Sequence, residues 1–83
     1  MTLKNAIKKA SKYGEVKQQG QLFWVEIGNQ IVEFMANGRI DEHTTITCIR
    51  VRRKNDEDDS MTDYFAGSWY DNLTQAIKVA TER

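Results

Sequence analysis

The residues with the greatest capacity for binding chemistry lie in the segment from Ile49 to Tyr70, IRVRRKNDEDDSMTDYFAGSWY. Arginines at the end of a predicted strand are followed by a run of carboxylates and then by aromatic side chains. Guanidinium groups bind carboxylates and phosphates through paired hydrogen bonds. The segment therefore predicts a contact surface. The candidate partner-binding residues are Trp24, Arg50, Arg52, Arg53, Asp56, Asp58, Asp59, Asp63 and Trp69.

No arrangement of residues in the sequence predicts catalysis, a metal or a cofactor. His43 and Cys48 are the single histidine and the single cysteine, so they cannot form a closed zinc site, which usually needs four such ligands. They also lack an oriented base for a nucleophilic pair, and Cys48 is expected to be a small apolar filler. The acidic run from 55 to 63 lacks the glycine and the final glutamate of a calcium loop. We therefore expect a protein that is not an enzyme.

Length and composition predict one small domain over residues 1–83. The chain is 40% hydrophobic and 29% charged, which is typical of a folded domain with a polar surface. The single cysteine precludes an intrachain disulfide and favours a reducing compartment. Because no apolar run is long enough for a secretion signal or a membrane span, we expect a cytoplasmic protein without a membrane partner.

Charge is distributed unevenly along the chain although the formal net charge is zero. Residues 1–54 contain ten Lys and Arg against five Asp and Glu, whereas residues 55–83 contain two against seven. Such an asymmetry steers association with charged partners, unless the acidic segment neutralises the basic strand end within the molecule. A further basic row, Lys4, Lys8 and Lys12, is either an ordinary solvated helix face or a set of phosphate contacts.

The spacing of apolar residues predicts one amphipathic helix at each end of the chain. Thr2 and Asp71 are the expected N-caps, and Gly14 is expected to end the first helix. The apolar stripes recur at helical spacing and consist of Leu3, Ala6, Ile7 and Ala10 in the first helix and of Leu73, Ala76, Ile77 and Ala80 in the second.

Between the helices the apolar period changes to two, which predicts four strands near 15–18, 21–27, 30–36 and 44–53. Glycine-containing pairs at 19–20, 28–29 and 37–38 are typical of hairpin turns. The resulting order is α-β-β-β-β-α, an α+β domain with an antiparallel sheet and two helices on one face.

Alternation within the strands assigns side chains to the two faces of the sheet. The core face is expected to contain Phe23, Val25, Ile27, Val32 and Phe34. Trp24 then lies on the opposite face, where it either packs across the strands or forms a contact surface. In the fourth strand strict alternation groups Thr47 with Ile49, Val51 and Arg53, and groups Ile46 with Cys48, Arg50 and Arg52.

A sequence pattern in the C-terminal two-fifths of the chain points to a family. The pattern comprises Val51-Arg52-Arg53, Asp56, Asp58, Asp63-Tyr64-Phe65, Gly67, Asn72-Leu73 and Gln75-Ala76. It resembles a small domain found in bacteriophages and other mobile genetic elements, including among the large polyvalent-protein-associated domains. The resemblance implies a phage or prophage origin and a bacterial cytoplasm, and it implies no activity.

Two functions fit these features. The first is an accessory protein that binds a host or phage protein through the open sheet face and the acidic segment 55–63. The alternative is a nucleic-acid-binding module, in which Arg50, Arg52 and Arg53 contact phosphates and an exposed tryptophan stacks on bases. A purely structural role also explains the pattern, with Arg52 and Arg53 pairing with the carboxylates of Asp56, Asp58 or Asp63 to fix the segment to the sheet edge.

Overall fold

The fold comes from a computed structural model, which describes residues 1–41, 43–53 and 68–82. In chain order the elements are α1 (Leu3–Ala10), β1 (Lys17–Gln19), β2 (Leu22–Ile27), β3 (Gln30–Ala36), β4 (Ile46–Arg53), β5 (Ser68–Tyr70) and α2 (Leu73–Glu82). The strands form one sheet in the order β1-β2-β3-β4-β5, and each neighbouring pair is antiparallel. The predicted α+β architecture is confirmed.

The short strand β5 is an addition to the four strands that the sequence predicts. It pairs with β4 through Ile49 opposite Tyr70 and Arg50 opposite Trp69. Three residues are too few for an alternating pattern to be recognised in the sequence. The strand is defined by its partner, and it places Trp69 at one edge of the sheet.

Both helices begin at polar caps, one of which differs from the prediction. In α1 the Asn5 amide donates to Thr2 Oγ1 at 3.3 Å, as expected. In α2 the Gln75 amide donates to Asn72 Oδ1 at 2.7 Å, so Asn72 and not Asp71 is the N-cap. The side chain that begins α2 is the one whose oxygen reaches the amide three residues later.

The first helix ends at Ala10, earlier than the predicted end at Gly14. The amides of Lys12 and Tyr13 bond to carbonyls three residues back, on Lys9 and Ala10, so the last turn tightens instead of continuing as α-helix. Gly14 serves close packing, because a Cβ there would lie 3.3 Å from the Glu26 carbonyl oxygen on β2.

The hydrophobic core lies between the two helices and one face of the sheet. Phe23 and Phe34 stack across β2 and β3 with ring centroids 5.8 Å apart, and Val25, Val32 and Val51 are fully buried. The helices contribute mainly small side chains, which bring their backbones close to the sheet. The buried helix residues are Leu3, Ala6, Ala10, Leu73, Ala76, Ile77 and Ala80. The predicted core face is confirmed.

A β-bulge in β4 overturns the strict alternation expected there. Glu33 pairs with Arg50 while Met35 pairs with Thr47, so two residues of β4 oppose the single residue Phe34. Cys48 adopts φ 53° and is exposed, which contradicts its predicted role as an apolar filler. The extra residue shifts the alternation by one. Consequently Ile46 joins Ile49 on the core side, and Thr47 joins Arg50 on the other side.

Candidate functional site

The sheet face that points away from the helices is the candidate site, and we call it the open face. It consists of Lys17, Gln19, Leu22, Trp24, Glu26, Ile31, Glu33, Met35, Thr47, Arg50, Arg52 and Trp69. Both helices pack against the opposite face, and no helix or strand among the described residues covers the open face. On this face Lys17, Gln19 and Trp69 are exposed, whereas Ile31 and Glu33 are buried.

One row of the open face crosses all five strands in register. Lys17 on β1 lies opposite Trp24 on β2, Trp24 opposite Glu33 on β3, Glu33 opposite Arg50 on β4, and Arg50 opposite Trp69 on β5. With strands about 4.8 Å apart, the two tryptophans are separated by three spacings, roughly 14 Å. The row therefore presents an indole on each side of a carboxylate and a guanidinium.

Glu33 is a buried carboxylate that holds two arginines. Its side chain is 6% exposed, against 13% for Arg50 and 16% for Arg52. Arg50 Nε donates to Oε1 at 2.7 Å and Arg50 Nη2 lies 2.5 Å from the same oxygen. Arg52 Nε donates to Oε2 at 2.9 Å. A buried charge is tolerated only when it is paired and hydrogen-bonded, and here both carboxylate oxygens have charged donors.

The guanidinium of Arg50 also contacts Trp69. Its Cζ atom lies 5.5 Å from the centre of the indole ring, within the range of a cation–π interaction. Trp69 is 48% exposed, so the ring packs against Arg50 while much of its surface faces solvent. Glu33, Arg50 and Trp69 thus form a connected series in which the carboxylate orients the arginine and the arginine supports the indole.

The charges of the open face nearly balance within the described residues. Lys17, Arg50 and Arg52 oppose Glu26 and Glu33, and Lys17 Nζ lies 3.8 Å from Glu26 Oε1. The formal sum is one positive charge. Phosphate binding depends on several cations that are available to neutralise the backbone, so this surface is better suited to a partner of mixed polarity.

The structure brings together four of the predicted site residues. Trp24, Arg50, Arg52 and Trp69 share the open face, as expected for the two arginines. Arg53, at the exposed end of β4, alternates to the other side and pairs in register with Gln30. The predicted acidic residues lie outside the described residues, namely Asp56, Asp58, Asp59 and Asp63. Their predicted pairing with the arginines lies outside the described residues as well.

Glu33 is the site residue that the sequence pattern does not reveal. Its signal is a single acid within the otherwise apolar strand core of QIVEFMA. Alternation places it beside Ile31 and Met35 on the open face. Its arginine partners are 17 and 19 residues away in the chain, so only the strand register reveals that they meet.

The loop before β4 contains the remaining titratable groups of interest. The His43 amide donates to Asp41 Oδ1 at 2.8 Å, and the Thr44 hydroxyl donates to it at 3.1 Å. These hydrogen bonds, chiefly that from the His43 backbone, lower the pKa of Asp41. The carboxylate closes a local turn. Among the described residues no group of three or more His, Cys, Asp or Glu side chains is placed to hold a metal.

Within the described residues, the fold is α+β and contains a five-stranded antiparallel sheet. No protein-family model, no curated protein and no solved structure matches the chain. The resemblance of the Ile49–Ala80 segment to a mobile-element domain therefore stays a prediction. In the part of the chain that the structure describes, no helix has the length and apolar character needed to cross a bilayer.

Proposed function

We propose that this protein is a non-catalytic binding domain whose open face docks onto another protein. The observation that carries the proposal is the arrangement of Trp24 and Trp69 on either side of the Glu33-centred arginine pair, on a sheet face that no described helix covers. Tryptophan and arginine are enriched among the residues that dominate the energy of protein interfaces.

The side chains of this surface are ordered before any partner arrives. Arg50 and Arg52 are held by Glu33, and Trp69 rests against Arg50. Ordering a flexible side chain at an interface costs about 0.5–1.5 kcal/mol. A surface whose arginines are already fixed avoids much of this cost. The partner that fits it presents apolar side chains to the indoles and hydrogen-bond acceptors to the guanidinium edges.

Charge favours a protein over a nucleic acid at this face. Two of the three arginines invoked for phosphate binding, Arg50 and Arg52, bond to the buried Glu33. Part of their charge is therefore neutralised within the molecule. Arg53 lies on the other side of the strand end. The nucleic-acid alternative remains a prediction for these residues, with weaker support than the protein partner.

The sequence pattern adds a more specific part to the proposal. If the mobile-element resemblance is correct, the partner is a host or phage protein in the bacterial cytoplasm. The acidic segment 55–63 would extend the contact surface and present carboxylates to basic residues of the partner. This part rests on the sequence pattern alone.

The test compares two exposed aromatic residues in different parts of the molecule. Trp69 on the open face is 48% exposed, and Tyr13 after α1 is 46% exposed. Wild-type protein, Trp69→Ala and Tyr13→Ala are immobilised and incubated with nuclease-treated bacterial lysate, and retained proteins are identified by mass spectrometry. A candidate partner is then purified and its Kd is measured by calorimetry for all three proteins.

We expect one partner to bind wild type and Tyr13→Ala with similar Kd, and to bind Trp69→Ala at least tenfold more weakly, as for an interface residue worth about 1.4 kcal/mol or more. Melting temperatures confirm that both variants are folded. Equal binding of Trp69→Ala and wild type would refute the assignment of the open face. Absence of any directly binding protein would refute the proposed function.

A further inference from the structure

The strand β1 is an open edge of the sheet. It stands at one end of the strand order, and among the described residues it pairs with β2 alone. Its residues, Lys17–Gln19, are all exposed. The backbone N–H and C=O groups that point away from an edge strand can pair with another strand. We therefore searched β1 and the residues just before it for a matching strand of defined chemistry.

The β1–β2 hairpin determines which backbone groups point outward. Gln19 pairs with Leu22 across a two-residue turn, and the pair that flanks such a turn exchanges its backbone hydrogen bonds. Because bonded and non-bonded pairs alternate along an antiparallel ladder, Lys17 also bonds to β2. Gln18 and Val16 then direct their N–H and C=O groups to the free edge. These two residues are the ones with which an added strand can pair.

Charge selects a second copy of this chain as the added strand. Val16 lies between Glu15 and Lys17. When two copies pair in antiparallel orientation with Val16 opposite Val16, Glu15 of each copy lies opposite Lys17 of the other. Opposite charges that face each other across two strands stabilise the pair. The segment Glu15–Lys17 is therefore complementary to itself.

Both charged side chains are accessible for this contact. Glu15 is exposed and takes part in no salt bridge among the described residues. The Lys17 side chain is 47% exposed, and its Nζ lies 3.8 Å from Glu26 Oε1, which is a loose pair at the surface. An ammonium group has three donors, so Lys17 can contact Glu26 and the Glu15 carboxylate of a second copy together.

Other registers of the same two strands are less favourable. A register centred on Lys17 places the two Lys17 side chains opposite each other, and like charges directly opposite are destabilising. A register centred on Gln18 uses the Gly20 carbonyl, which already accepts a hydrogen bond from Gln18 Nε2 at 3.0 Å. The register centred on Val16 avoids both problems.

We propose that this protein self-associates by antiparallel pairing of β1, together with Glu15 and Val16, with the same segment of a second copy. The contact is isologous, because each copy contributes the same residues. The two five-stranded sheets then join edge to edge, with both open faces on the same side. The open face takes no part in this contact, so the inference does not depend on the proposed function.

Sedimentation equilibrium measures the self-association directly. The protein concentration runs from about 10 µM to about 1 mM, because a contact between two short strands belongs to the weak class of interfaces below about 1,200 Å². The mass of wild type should rise with concentration toward that of a dimer. Lys17→Glu and Glu15→Lys each place like charges opposite one another, and each should raise the Kd of self-association at least about tenfold.

The two charge-reversal variants should restore each other. In an equimolar mixture of Lys17→Glu and Glu15→Lys, every facing pair again joins opposite charges, so the variants should associate about as tightly as wild type. The double variant Glu15→Lys/Lys17→Glu should self-associate in the same way. The matched control is Lys78→Glu, which reverses an exposed lysine on α2 and should keep the wild-type Kd. Melting temperatures establish that each variant is folded.

Four results would overturn the proposal. Wild type stays monomeric at the highest concentration, the mixture of Lys17→Glu and Glu15→Lys does not associate, or Lys78→Glu weakens self-association as much as Lys17→Glu does. The fourth is self-association that is lost in Trp69→Ala and kept in Lys17→Glu, because the open face and not the β1 edge would then be the contact.

Discussion

Replacement of Glu33 by glutamine tests the central interaction of the open face. The amide has nearly the same shape as the carboxylate, but it has no charge and one of its two acceptors becomes a donor. In Glu33→Gln the NH₂ group must face a guanidinium donor of either Arg50 or Arg52, because the two arginines occupy different carboxylate oxygens. At least one bond is lost, and two cations remain without their shared anion.

The size of the effect follows from burial. Removing one partner of a buried ion pair costs about 3–5 kcal/mol. The arginine side chains keep 13% and 16% of their exposure, so each can recover some hydration, and we expect a loss near the lower end, about 3 kcal/mol. In a domain of 60–100 residues each kcal/mol shifts Tm by about 4–8 °C, so the melting temperature should fall by roughly 12–24 °C.

The matched control is Glu26→Gln, the same substitution on the neighbouring strand of the open face. Glu26 pairs with Lys17 at 3.8 Å, and its side chain is 37% exposed. Exposed ion pairs contribute about 0–1 kcal/mol. Urea unfolding followed by circular dichroism gives the free energy of unfolding of both variants, and thermal unfolding gives Tm.

The argument is refuted if the free energies of unfolding lost in Glu33→Gln and in Glu26→Gln differ by less than about 0.5 kcal/mol, since both would then behave as surface substitutions.

A triple variant separates the effect of charge from the effect of packing. Replacing a whole buried ion triad by apolar residues of similar volume is often neutral or stabilising. Glu33→Leu combined with Arg50→Met and Arg52→Met should therefore be more stable than Glu33→Gln alone.

Two further predictions concern local backbone structure. Asn72→Ala should reduce the free energy of unfolding by about 1 kcal/mol because it removes the N-cap of α2, whereas Asp71→Ala should change it by less than about 0.5 kcal/mol. Urea unfolding of the two variants decides which residue is the cap, and equal effects would contradict the assignment. Cys48→Val should lower the free energy of unfolding by about 1–2 kcal/mol, because a β-branched residue fits poorly at positive φ. Cys48→Asn should be tolerated, and similar urea-unfolding midpoints for these two variants would argue against the bulge.

Much of the fold is predictable because it depends on short-range patterns. The change from helical spacing to alternation locates the helices and four of the strands. The glycines of the first two hairpins mark turns that need positive φ, and Gly20 and Gly28 adopt φ 61° and 58°. The position of Trp24 on the open face also follows from alternation. Each of these features is determined by residues within a few positions of one another.

The errors have a common physical origin. A bulge depends on how two strands fit, so strict alternation fails at Cys48 and misassigns Ile46 and Thr47. The choice of cap between Asp71 and Asn72 depends on which side-chain oxygen meets an amide once the helix is formed. The three-residue strand β5 depends on pairing with β4. None of these is visible in a local pattern.

The sequence by itself determines the order of the two helices and of β1 to β4, the apolar stripes of both helices, the core face of β2 and β3, and the basic character of α1, because each follows from the identity and spacing of nearby residues. Only the tertiary structure decides that Glu33 lies between Arg50 and Arg52 and that Trp69 rests on Arg50. These contacts join residues of three strands whose register is set by the sheet as a whole. The pairing that turns scattered charges into a defined surface is therefore a property of the fold.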